Sequence, residues 1–157
     1  MITPVGNTQA GKLVLLPAVR QLELLHRGEV SVLELAEAHL GQIERLNPKI
    51  NAFADFDAER VRVQARRMDD SQAPRGPLHG LPVTVKSSIA TAGYRCEIGS
   101  CLHRGEIPAE DAVVVKRLRA AGALILGTTN CPELLMAYET ANLLHGATRN
   151  PWDLDRS

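Results

Sequence analysis

Two short apolar runs on either side of one amphipathic segment constrain this chain more than any other feature. The first, Val83-Thr84-Val85-Lys86, follows a cluster of helix breakers, Arg75-Gly76-Pro77-Leu78-His79-Gly80-Leu81-Pro82. That cluster holds too many glycines and prolines for a helix, so it reads as a structured turn feeding a strand. The second run, Ala123-Leu124-Ile125-Leu126, is apolar throughout, as a strand covered on both faces must be. Between them, residues 111–121 carry Val114, Val115, Leu118 and Ala121 as an inward helical face, with Gly122 suited to the C-terminus. Strand, helix and strand make a βαβ unit, so the fold class is α/β with a mixed, mostly parallel sheet. In so short a chain the apolar 123–126 strand is expected near an unpaired edge.

The preceding half reads as helices packed outside that sheet. The first 15 residues or so, rich in Thr, Gly, Asn and Gln, read as a loose terminus. Pro17 then opens a helix with leucines at 22 and 25, and Gly28 stops it. Ser31-Val32-Leu33-Glu34 is a capping box. The helix it starts buries Val32, Leu35, Ala36, Leu40, Ile43 and Leu46, and Asn47-Pro48 should end it. An extended piece at residues 50–53 comes next. A third helix at 57–70 follows, with Val61, Ala65 and Met68 inward and solvated arginines opposite. Residues 93–108 form a long connection. Asn130, three residues before Glu133, is placed to cap one further helix. All 157 residues suit one unit with one core.

Composition removes several function classes. Lys+Arg and Asp+Glu balance at 18 each, so no net field draws the chain to nucleic acid or to an anionic membrane. At 3% aromatic residues it lacks stacking platforms as well. Cys96, Cys101 and Cys131 form no CxxC pair; they read as free, mostly buried thiols in a reducing compartment, and no metal site is expected. No run reaches the ~18 apolar residues of a membrane span, and Pro17 interrupts the apolar stretch 13–19. The expected location is the cytoplasm. Thr128 stands where a P-loop needs lysine, and no GxGxxG occurs. No cofactor is expected. His79, His103 and His145 lack metal-ligand spacing and read as structural or exposed.

Lys86 is the ionisable group of most interest, because it ends an apolar strand. An amine held in apolar surroundings loses hydration, and its neutral form is a usable base near pH 7. Position alone favours the ordinary outcome, a side chain reaching solvent.

The segment Gly76 to Lys86 resembles the lysine-bearing stretch of amidase signature enzymes. Forty residues on, Gly127-Thr128-Thr129-Asn130-Cys131-Pro132-Glu133 is similar to that family's Gly-Lys-Thr-Asn-x-x-Glu. Glu139-Thr140-Ala141-Asn142-Leu143-Leu144-His145-Gly146 and Thr148-Arg149-Asn150-Pro151-Trp152-Asp153 resemble the approach to its Gly-Gly-Ser-Ser-Gly-Gly loop. The likeness runs from about residue 16 to 157, in the family's order. It implies a partial amidase-signature fold, the N-terminal part of a single amidase domain. It also implies hydrolysis of small amides by a Ser–cis-Ser–Lys triad, with Lys86 as base. Leu135, Met136 and Ala137 match a stretch lining the substrate pocket, although apolar residues suit an ordinary core equally well. Both serines are expected beyond Ser157, so the 157 residues alone should be inactive. Ser87 and Thr128 depart from the family's aspartate and lysine at those positions.

Two alternatives stand beside this reading. One is the glutaminase subunit of a tRNA-dependent amidotransferase, which would require a second, partner protein. The other is a non-catalytic remnant acting by binding or assembly. A homodimer is a further possibility for the partner.

Overall fold

The computed structural model describes residues 9–72 and 75–157, and for Gln9 and Ala10 the backbone only. Helix α1 (Gln9–Leu13) stands where a loose stretch was expected; residues 1–8 of that stretch lie outside the described residues. Its anchor is Leu13, which packs on the main core. The buried Gln21 amide donates to the carbonyls of Leu13 (3.3 Å) and Leu16 (3.0 Å). Interspersed Thr, Asn, Gln and Gly concealed one well-placed leucine.

Helix α2 (Ala18–Arg27) runs from Pro17 to Gly28, whose φ of 68° closes it in the left-handed region. Helix α3 (Val32–Ile50) starts on the expected capping box: Ser31 Oγ accepts from the Glu34 N–H (3.1 Å), and the Glu34 carboxylate accepts from the Ser31 N–H (2.9 Å). The next two orphan donors, Val32 N–H and Leu33 N–H, go to the Asp69 carboxylate at 2.8 and 2.9 Å. The start of α3 is thereby tied to the end of α4 (Ala58–Asp69).

Helix α3 does not stop at Asn47-Pro48. It continues to Ile50 with Pro48 inside it. Pro48 and Glu44, four residues earlier, are both exposed, so the backbone bond that proline forfeits lies on the solvent side of the last turns. The stop falls at Asn51, left-handed at φ 52°, while Asn47 Oδ1 accepts from the Ala52 and Phe53 N–H groups (2.8 and 3.0 Å). Strand β1 (Phe53–Phe56) therefore begins where the extended piece was expected to end.

The sheet has the order β1-β3-β2, with β2 (Pro82–Lys86) and β3 (Leu124–Thr129) parallel and joined through α5 (Val113–Ala120). Strand β1 pairs antiparallel to β3. The apolar run is thus the central strand and not near an edge; β1 and β2 are the edges. Both faces of β3 are covered. Leu124 and Leu126 join Leu25, Val32, Leu35, Leu40, Val61 and Ala65 of the helical layer. Ile125 points the other way, to Val85, Tyr94 and Val115. Each such large side chain contributes roughly 1.5–3 kcal/mol over its exposed state. Gly127 lets β1 approach, since a Cβ there would sit 2.5 Å from the Asp55 carbonyl oxygen.

The breaker-rich turn docks on the α5–β3 junction. Leu78 N–H donates to Ala121 O and Gly80 N–H to Gly122 O, both at 2.8 Å. Helix α5 is shorter than expected because Asp111 lies outside it, accepting from Ala92 N–H (2.7 Å) and Arg119 Nε (2.9 Å). Val115 is fully buried, but Val114 is exposed; an eight-residue helix on one sheet face buries a narrow stripe. Of the cysteines, none of them in a disulfide, Cys131 is buried, Cys96 half-buried and Cys101 exposed. Among the described residues no helix is long and apolar enough to cross a membrane.

Candidate functional site

Parallel pairing brings the C-terminal ends of β2 and β3 to one side, where α/β sheets commonly hold ligands. Lys86 is the last residue of β2 and forms a rung with Thr129, the last of β3. Alternation along β2 decides its orientation. Val85 is buried in the core, whereas Thr84 and Lys86 are exposed. Among the described residues the Lys86 ammonium has neither an ion-pair nor a hydrogen-bond partner. It stands as an unpaired cation on an edge strand.

The residue after it is built differently. Ser87 is buried, its N–H donates to Thr129 O (2.9 Å), and its hydroxyl lies 3.2 Å from Cys131 Sγ. That hydroxyl belongs to the packing beneath the strand end. Thr128 is also fully buried, with Oγ1 donating to Arg95 O (3.3 Å). Burial pushes the Cys96 thiol up, with Glu106 and Cys131 adding to the shift, so it remains protonated at neutral pH.

Leu135, Met136 and Ala137 lie in the segment that leaves the C-terminal end of β3, the strand whose last residue pairs with Lys86. All three are exposed, Met136 at 84%. The expected helix capped by Asn130 is instead a single 3₁₀ turn, Glu133–Leu135. Leu134 and Leu135 both have positive φ (49° and 62°), as does Ile98 (51°) in the facing loop. Left-handed geometry costs on the order of 1–2 kcal/mol per non-glycine residue. Leu134 N–H donates to Ile98 O (2.9 Å) and Ser100 Oγ to Glu133 Oε1 (3.0 Å), which pins one loop to the other.

Asn130 is occupied elsewhere. Its Nδ2 donates to Gly146 O (3.1 Å) and Thr148 Oγ1 (3.2 Å), while its Oδ1 accepts from Asn142 Nδ2 (2.7 Å) and Cys131 N–H (3.0 Å). These partners lie up to eighteen residues away. The local pattern Asn-x-x-Glu therefore misled. Glu97 and His145 form a second polar contact that sequence reasoning missed, with Nε2 2.8 Å from Oε2 and both side chains largely buried. Forty-eight residues separate them, and no spacing rule links such a pair. His103 sits beside Glu106 (2.9 Å), and His79 is buried.

A cavity of about 240 Å³ lined by Leu25, Ser31, Asp69, Arg75 and His79 lies at the start of α3. It adjoins the turn entering β2, at the opposite end of that strand from Lys86.

Known proteins align with this arrangement. A sequence model of the Amidase family matches residues 34–157. The A subunit of glutamyl-tRNA(Gln) amidotransferase from Roseiflexus castenholzii is 44% identical over 136 residues, covering 85% of this chain and 28% of that protein. A native peptide amidase from Stenotrophomonas maltophilia superposes with a TM-score of 0.78 at 29% identity, over 98% of this chain and 32% of that one. Fatty acid amide hydrolase gives a TM-score of 0.86 over 98% of this chain and 27% of its own; at 24% identity the likeness is one of fold alone. The 157 residues span less than a third of each of these proteins.

Proposed function

The chain belongs to the amidase (amidase signature) family, and from that premise we propose that Lys86 is the proton-transfer base of an amide-hydrolysing site. The observation that supports this most is the place of Lys86 on the last rung of the parallel β2–β3 pair, at the strand ends where α/β sheets commonly hold ligands. Exposure by itself is the ordinary outcome for a strand-end lysine; the match of residues 34–157 to the Amidase family model is what gives this one a candidate role. Cover from the rest of an amidase domain would desolvate the amine and favour its neutral form. By the family resemblance, that amine takes a proton from a bridging serine, which takes one from the nucleophilic serine as its Oγ attacks the amide carbon. The C–N bond breaks as the proton is returned to the leaving nitrogen, and water releases the acid. The two serines would lie beyond residue 157. Leu135, Met136 and Ala137 would form part of the apolar wall for the acyl group.

Changing Lys86 to Ala in the complete domain tests this. Acylation in a single turnover should fall ~10²–10⁴-fold, the usual contribution of proton transfer, with affinity for an inert amide analogue nearly unchanged. Equal acylation by the variant and the parent would remove Lys86 from the mechanism.

The identity to the A subunits of amidotransferases favours a second form of the same reading: glutamine as the amide and a partner protein receiving the ammonia. Ammonia release from glutamine that depends on a co-expressed partner would support it. Partner-independent hydrolysis of simple amides would favour a free-standing amidase. A folded complete chain that does neither would be the non-catalytic remnant.

A further inference from the structure

We propose that the buried Glu97–His145 pair is a positioning brace for the reaction assigned to Lys86, setting the loop of residues 139–150 over the ends of β2 and β3. The proposal rests on that reading of Lys86. The side chains are 3% and 13% exposed, with His145 Nε2 2.8 Å from Glu97 Oε2. The second carboxylate oxygen, Oε1, accepts from Gly105 N–H at 2.7 Å, so the carboxylate is held at both oxygens.

Each foot of the brace rests within one or two residues of the Lys86–Thr129 rung. On the Glu97 side, the adjoining Ile98 N–H donates to Ser87 O (3.3 Å), directly after Lys86. On the other side, His145 N–H donates to Asn142 Oδ1 (2.7 Å), and Asn142 Nδ2 donates to Asn130 Oδ1 (2.7 Å) and Cys131 O (2.8 Å), directly after Thr129. With the backbone bond from Ser87 to Thr129 (2.9 Å), these contacts close a ring around the strand end.

The same loop is tied to the end of α3. Asn51 Nδ2 donates to the His145 and Ala147 carbonyls, Thr148 Oγ1 to Asn51 O (2.7 Å), and Arg149 N–H to Ile50 O (2.7 Å). The direction in which the chain leaves residue 150 is thus fixed relative to Lys86. If the serines follow, the brace sets their approach to the amine. Misplacement by about 1 Å can cost ~10²-fold in rate without comparable loss of binding. Opening the ring at Glu97–His145 also leaves a largely buried acceptor or donor without its partner.

The test uses the complete domain carrying Glu97→Ala, His145→Ala, both together, and Glu97→Gln. Each single alanine variant should lower kcat ~10–10²-fold, with KM changed far less. The double variant should be no worse than the poorer single one, and Glu97→Gln should recover much of the loss. Hydrogen exchange should quicken in residues 139–150 while β2 and β3 keep their protection. An unchanged kcat, a loss confined to KM, or an unaltered loop would each overturn the proposal. If Glu97→Ala does not fold, His145→Gln with the same readouts decides. A wild-type domain without amide turnover would overturn the reading of Lys86, and the exchange measurement would still decide whether the brace exists.

Discussion

The two ends of the β2–β3 pair are built on different physics. At the entry, the turn at residues 76–81 stacks on the α5–β3 junction, and Leu124, Leu126, Val61 and Leu35 pack behind it. At the exit, Asn130, Asn142, Thr148, Glu97 and His145 hold loops together by hydrogen bonds between polar groups distant in sequence, and large apolar side chains such as Met136 and Tyr138 face outward. Burial fixes the first end. The second is specified by polar geometry and leaves an amine and an apolar loop uncovered.

The contrast is broken most completely if the exit end is already catalytic. If Lys86 is the base and the serines lie beyond residue 157, as proposed, the 157-residue chain alone is expected to show no turnover of aryl amides or esters, because a base without its nucleophile forms no acyl-enzyme. Hydrolysis that Lys86→Ala abolishes would contradict this. At the packed end, Leu124→Ala should destabilise by about 2–5 kcal/mol, since the side chain is 1% exposed in the central strand. Urea melts check it, and a loss under ~1 kcal/mol would mean the core relaxes into the space.

These ends also differ in how far they could be read from sequence. The strands of the βαβ unit, the Ser31 capping box and the Gly28 stop were legible because burial and capping leave local, periodic marks. The central place of β3 was not legible, since its neighbour β1 is contributed by residues more than seventy positions earlier, such as Phe53 against Thr129. The end of α3 was misplaced because Pro48 is a general helix breaker, whereas Asn51 and the Asn47 side chain perform the stop. At the candidate site, Lys86 was found through its motif, but its lack of a partner depends on three-dimensional surroundings. The roles of Asn130 and Glu97 depend on partners as far as 18 and 48 positions away.

Smaller effects sharpen the comparison. Ser31→Ala should cost about 1 kcal/mol, and Ser31→Asn or Asp should restore most of it; equal melts for serine and alanine would show that Asp69 alone caps α3. The smallest effect concerns His39, whose ring lies 3.2 Å from Gln21 Oε1. Burial lowers its pKa below the ordinary value. The unfolded chain then binds more protons than the folded one between the two values. His39's contribution is therefore complete above about pH 6.5 and is lost as pH falls toward the folded value. His39→Gln should flatten that acid-side decline in denaturation midpoint, and an unchanged slope would assign it to other groups.

The central claim is that Lys86 activates a serine supplied from outside these 157 residues. Labelling the complete domain with a serine-directed fluorophosphonate, followed by peptide mapping, tests it most directly. The expected adduct lies on a serine beyond residue 157, and its rate of formation drops ~10²-fold or more in Lys86→Ala. An adduct on Ser87 or Ser88, or labelling at the same rate without Lys86, would contradict the account.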